Sequence, residues 1–83
     1  MKDKHWTITY DHLEKTKGSH PPPEHTILFK LYDDDNVLYF TGKMSKQLYD
    51  SHMILDPLDW AMNHSGCTGM KVNGPREHGL TWV

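Results

Sequence analysis

Seven histidines stand in a chain of 83 residues, at positions 5, 12, 20, 25, 52, 64 and 78, beside a single cysteine, Cys67. Imidazole and thiolate are the usual ligands of zinc, and zinc sites draw at least one pair of them from positions close in sequence. His64-Ser65-Gly66-Cys67 supplies one such pair, with His52 or His78 as a third ligand. A second cysteine and a His-x-x-x-His pair are both missing, so His64 and Cys67 form an incomplete metal candidate. The simpler reading is a set of solvated loop histidines. The same two residues would suit a nucleophile and its base. Cys67, however, is expected to open a strand and to be buried and chemically quiet, with no neighbouring Lys or Arg to hold a thiolate. No acid is spaced to orient the histidine. The expectation is no catalytic residue and no cofactor.

Asp33-Asp34-Asp35-Asn36 is the second chemical feature. It lacks the glycine and the distal glutamate of a calcium-binding loop. A turn needs one Asp or Asn to bond its own backbone, and adjacent like charges repel. Three carboxylates in a row therefore set up a local negative field that can steer a basic surface. Strand alternation places Tyr32, Val37 and Tyr39 on one face beside this turn. Tyr is favoured at interfaces because it joins apolar area to a polar handle. Asp33, Asp34, Asp35, Tyr32 and Tyr39 are thus the candidate partner surface. The competing reading has this face covered by the proline loop or by residues 44–55. No GxGxxG, Walker loop, HExxH, CxxC or GxSxG occurs, and no close acid–base pair is present, which argues against an enzyme.

These residues must be held by local structure. Residues 5–10 alternate, with Trp6, Ile8 and Tyr10 on one face and Thr7 and Thr9 on the other. Asp11 is placed to cap a short turn over residues 12–17. Gly18 and Pro21-Pro22-Pro23 mark residues 16–25 as a loop. Residues 26–32 and 37–41 form a hairpin about the acidic turn. Its expected register pairs Leu31 with Leu38 and Phe29 with Phe40, and Gly42 ends its second strand. Residues 44–55 read as a loose helical turn or an irregular crossover. Asp56 is the expected cap of a helix with Pro57 at its first position and Leu58, Ala61 and Met62 on its buried face. Residues 67–72 and 79–83 complete the strands, with Asn73-Gly74-Pro75 turning between them. The result is an α+β fold: a small, mainly antiparallel β-sheet of about five strands with one short helix, in the order β-β-β-α-β-β. Its expected core is Trp6, Ile8, Ile27, Phe29, Leu31, Leu38, Phe40, Leu58, Met62, Met70, Val72 and Trp82.

Length bounds the rest. Eighty-three residues make a single domain, residues 1–83, with one modest core. Aromatic residues at 11% argue against disorder, since disordered chains lack core-building rings. Nine basic residues against eleven acidic ones give a net charge of −2, so no basic footprint for nucleic acid is expected. Lys2, Lys4, Lys15 and Lys17 are interleaved with Asp3, Asp11 and Glu14 and read as a solvated face. One cysteine, no leader-like apolar stretch and no membrane-length apolar run suggest a reducing cytoplasm.

Several segments together resemble a group of small bacterial and bacteriophage proteins to which no activity is assigned. The matching residues are Trp6 and Ile8, Phe29 to Gly42, Pro57 to Asp59, Gly66 to Met70, and Trp82. Asn36 stands where that group has a turn glycine, and residues 44–55 depart from its pattern. The resemblance implies a compact domain native to bacteria and their mobile elements. The expected function is a non-enzymatic module that covers a basic surface on a larger protein partner. Its concrete form is a phage or mobile-element inhibitor of a host system, such as an anti-CRISPR or other anti-defence protein. A small His/Cys metal protein and a structural homo-oligomer are the alternatives.

Overall fold

The sheet is built outward from the alternation in His25–Tyr32. In the computed structural model, which describes residues 5–73, this segment is strand β3. Its residues His25, Ile27, Phe29 and Leu31 are buried, while Thr26, Leu28, Lys30 and Tyr32 are exposed or half-buried. That period-two pattern is the signature of a sheet covered on one face. Strand β4 (Leu38–Ser45) folds back on β3, and β1 (Trp6–Asp11) pairs with the other edge of β4. The two-residue β2 (Thr16–Lys17) turns back on β1, and β5 (Gly69–Asn73) adds to the free edge of β3. All pairings are antiparallel, and the order across the five strands is β2-β1-β4-β3-β5.

Between β4 and β5 the chain forms a single turn, α1 (Lys46–Tyr49), and a longer helix, α2 (Asp56–Ser65). The fold is therefore small, antiparallel and α+β, as expected. The roster of strands differs. β2 lies where a loop over 16–25 was anticipated. The expected strand 79–83, the Asn73-Gly74-Pro75 turn and the core role of Trp82 fall outside the described residues. Asp11 does cap its turn: its Oδ1 accepts from the backbone N–H of Leu13 and Glu14 at 2.9 and 3.0 Å.

The hairpin register is not the expected one. Leu31 pairs with Phe40, Phe29 with Gly42 and Ile27 with Met44, rather than Leu31 with Leu38 and Phe29 with Phe40. The connection runs from Asp33 to Val37, and an irregularity follows it, where Tyr32 opposes Leu38 but Leu31 opposes Phe40. Tyr39 is the extra residue. The slip carries β4 past Gly42 to Ser45 and brings Met44 fully into the core. Gly42 consequently sits inside the strand, where a Cβ would overlap the Phe29 ring and the Thr7 carbonyl oxygen. A second bulge, at Thr9, puts Ile8 opposite Gly42 but Tyr10 opposite Thr41. Tyr10 thus leaves the face it was expected to share with Trp6 and Ile8.

Among the described residues the helical layer lies on one face of the sheet. The Trp6 ring meets Phe29 edge-on at 6.4 Å, and Trp60 of α2 lies 5.6 Å from Trp6 and 5.0 Å from Phe40. Pro57, Leu58 and Ala61 are the buried residues of α2, whereas Met62, expected in the core, is 43% exposed. The packed seam of α2 thus runs through Pro57, Leu58 and Ala61, and Met62 lies about 100° of helical rotation away from Ala61. Leu55, not Asp56, is the N-cap, while Asp56 stands in the first turn beside Pro57. At the other end Gly66 takes the left-handed conformation, φ 75°, and donates to the Met62 carbonyl at 3.1 Å. Leu48, Tyr49 and Ile54 from the weakly patterned 44–55 segment complete the core. Leu38 and Val72 are only half-buried.

Candidate functional site

The acidic loop is built by one of its three aspartates. Asp33 Oδ1 accepts from the N–H groups of Asp35 and Val37, both at 2.9 Å. The Asp33 N–H donates to the Val37 carbonyl, and the Asn36 N–H donates to the Asp33 carbonyl, each at 3.1 Å. All four bonds involve Asp33. Asn36 closes the loop at φ 63°, a conformation that Asn tolerates better than most residues. Asp34 and Asp35 are exposed at the tip. One oxygen from each of the three carboxylates lies within 4.8 Å of the others, a concentration of negative charge on a braced turn.

Tyr39 belongs to this construction rather than to an outward surface. Its hydroxyl donates to the Asp33 carboxylate. Its ring packs against the core cluster and meets Phe40 edge-on at 6.5 Å. The expectation that Tyr32 and Tyr39 share the outer face is thereby corrected: the extra residue at Tyr39 breaks the alternation. The backbone N–H of Val37, ahead of Tyr39 and Asp35, holds the Asp33 carboxyl below its ordinary value, and the bond to Asp33 raises the Tyr39 phenol. Tyr32 does stand on the face away from the helices, with Lys71 Nζ 5.3 Å from its ring centre, and Val37 is 52% exposed.

Cys67 is buried and free. It follows the Gly66 cap, and its N–H reaches back to the Ala61 carbonyl at 3.4 Å, so β5 begins at Gly69 rather than at Cys67. Burial, then the nearby Asp33 charge, push its thiol up to about 11. That disfavours the thiolate needed of a nucleophile or metal ligand. His64 is exposed, stacked on Trp60 at 4.9 Å and bonded to Ser65 Oγ at 2.6 Å. It lines a groove with Ile8, Asp11, Phe40 and Trp60. Among the described residues, the one convergence of three possible metal-ligand side chains is Asp33, Asp34 and Asp35. His25, expected in solvent, is buried with its Nδ1 2.9 Å from Thr7 Oγ1, and His12 bonds Thr41 Oγ1 at 2.8 Å through Nε2.

The alternation of Lys30 with Phe29 and Leu31 already sets it on the hairpin face opposite the core, and Lys17 reads as part of a solvated face, but sequence reasoning does not group the lysines of separate strands together. The chain matches no protein-family model, no curated protein and no solved structure, so no residue role is transferred to it from another protein.

Proposed function

We propose that the protein is a non-enzymatic binding module that occludes a basic surface of a larger protein with the tip of its β3–β4 hairpin. The supporting observation is the division of labour among the carboxylates. Asp33 organises the loop, whereas Asp34 and Asp35 project exposed charge from a backbone that Asp33 holds in place. A preorganised charge costs less to bind than a mobile one. The partner this suits is rich in Lys and Arg, as nucleic-acid-binding proteins are. In its concrete form the module inhibits a host defence system, of the anti-CRISPR or a related anti-defence kind, in a bacterial or phage-infected cytoplasm. The described residues contain no helix long and apolar enough to cross a membrane.

The test is affinity capture from bacterial lysate with the wild type and with the Asp34→Asn/Asp35→Asn variant, read by mass spectrometry. A partner recovered by the wild type and depleted with the variant is expected. Its association should be slower and less salt-sensitive for the variant. Equal recovery by both, with equal affinity across salt concentrations, removes the tip from the interface.

A further inference from the structure

The face of the sheet away from the helices carries charge of the opposite sign. The residues paired across it form a row through all five strands: Lys17, Tyr10, Thr41, Lys30 and Lys71. In the next row Lys43 stands between Thr7 and Leu28, and Tyr32 lies beyond Lys71. The described strands hold four lysines, 17, 30, 43 and 71, and all four fall on this face. The same strands hold one carboxylate, Asp11, which pairs with Phe40 and so belongs to the covered face. Strands stand about 4.8 Å apart, which makes the row about 19 Å long. Rings flank the lysines. Tyr10 and His12 lie 4.6 Å apart at one side, and Tyr32 lines a concavity of about 420 Å³ with Leu28, Lys30 and Lys71 at the other.

We infer that this face binds single-stranded nucleic acid. Lysines gathered on strands whose one described carboxylate, Asp11, lies on the other face are complementary to a run of phosphates, and aromatic rings between the charges offer platforms for unstacked bases. A duplex keeps its bases stacked and cannot use those rings. An acidic protein would satisfy the lysines but gives no particular reason for the rings. A lipid surface would call for exposed large apolar residues, and none of the exposed ones among the described residues, Leu13, Val37, Met53 and Met62, belongs to a strand of the sheet. The inference is independent of the acidic tip, since it uses the other sign of charge on a different part of the fold.

Fluorescence anisotropy with a labelled single-stranded oligonucleotide of about 12 nucleotides, as DNA and as RNA, tests it on the full chain. Four phosphate contacts predict a log–log salt slope near about −3. Lys30→Gln/Lys71→Gln should reduce that slope by about 1.4 and weaken binding tenfold or more at about 50 mM salt. Tyr10→Leu and Tyr32→Leu, which keep bulk but remove the ring, should each cost about fivefold or more. Asp34→Asn/Asp35→Asn should not weaken binding, which separates this surface from the hairpin tip. Thermal melts establish that each variant is folded. Three results would overturn the inference. The first is no binding at low salt, and the second is unchanged affinity in the folded lysine variant. The third is binding of duplex or polyglutamate as tight as that of the single strand, with no effect of either Tyr→Leu change. That last outcome would assign the face to a duplex or to an acidic protein instead.

Discussion

At the scale of single residues, Cys67 and Asp33 show how environment sets chemistry. A thiol whose folded-state value rises from 9.0 to about 11 stabilises the fold while it stays protonated. Its contribution is fully present below the unfolded value and is lost as pH climbs through the folded one, because only the unfolded chain then releases the proton readily. Stability should therefore fall between pH 9.0 and about 11, and Cys67→Ser should flatten that part of the profile. Native alkylation at neutral pH should be slow and should accelerate on unfolding; rapid native labelling would revive the nucleophile reading. Asp33 has the opposite sign. Its lowered carboxyl contributes above the ordinary carboxylate value of 3.8 and loses that contribution as pH falls below it. Asp33→Ala should lower the melting temperature at neutral pH, and the gap from the wild type should narrow at strongly acidic pH. Equal gaps at both would show that the carboxylate's charge is not what braces the loop.

At the scale of elements, the β3–β4 hairpin decides how the core closes. Gly42 faces Phe29 with no room for a Cβ, so Gly42→Ala should destabilise by about 1–3 kcal/mol through overpacking. Phe29→Ala should cost about 3–5 kcal/mol in chemical denaturation. A Gly42→Ala protein as stable as the wild type would mean that the register slips without penalty. The alternation of Ile27, Phe29 and Leu31 made β3 legible, and the Pro57 and Gly66 signals made α2 legible, because those preferences are local. The register was not legible. It depends on Asp33 bonding across the turn to Val37 and on an extra residue at Tyr39, neither of which shows in a period-two pattern. The same slip accounts for Tyr39 turning inward, so part of the candidate site was misread with it. Met62 was misread for another reason: i, i+3, i+4 spacing fits more than one seam, and contact with Trp6 and Phe40 selected the one beside Trp60. Leu48, Tyr49 and Ile54 lack any clear period and are buried by tertiary packing alone.

At the scale of the whole molecule, a net charge of −2 conceals two separated fields. The acidic tip and the helix acids Asp50, Asp56 and Asp59 belong to the hairpin end and the helical layer, and the strand lysines to the face away from the helices. Holding the lysines together has a structural cost. Lys30 and Lys71 are direct cross-strand partners, and like charges so placed destabilise a sheet by about 0.2–1 kcal/mol. A fold selected for stability alone would gain by reversing one of them. Lys30→Glu leaves the Lys71 contact with Tyr32 in place and turns a repulsive pair into an attractive one. It should raise stability by about 0.2–1 kcal/mol at low ionic strength, with the gain fading as salt screens the pair. The same variant should lose single-strand binding, because it sets a carboxylate in the middle of the phosphate row. Denaturation curves at low and high salt, run beside the anisotropy titration, check both halves. Stability gained together with binding lost would mark the lysine row as retained for a ligand. A Lys30→Glu protein less stable than the wild type at low salt would instead mean that Lys30 serves the fold, and the case for a built anionic site would fall with it.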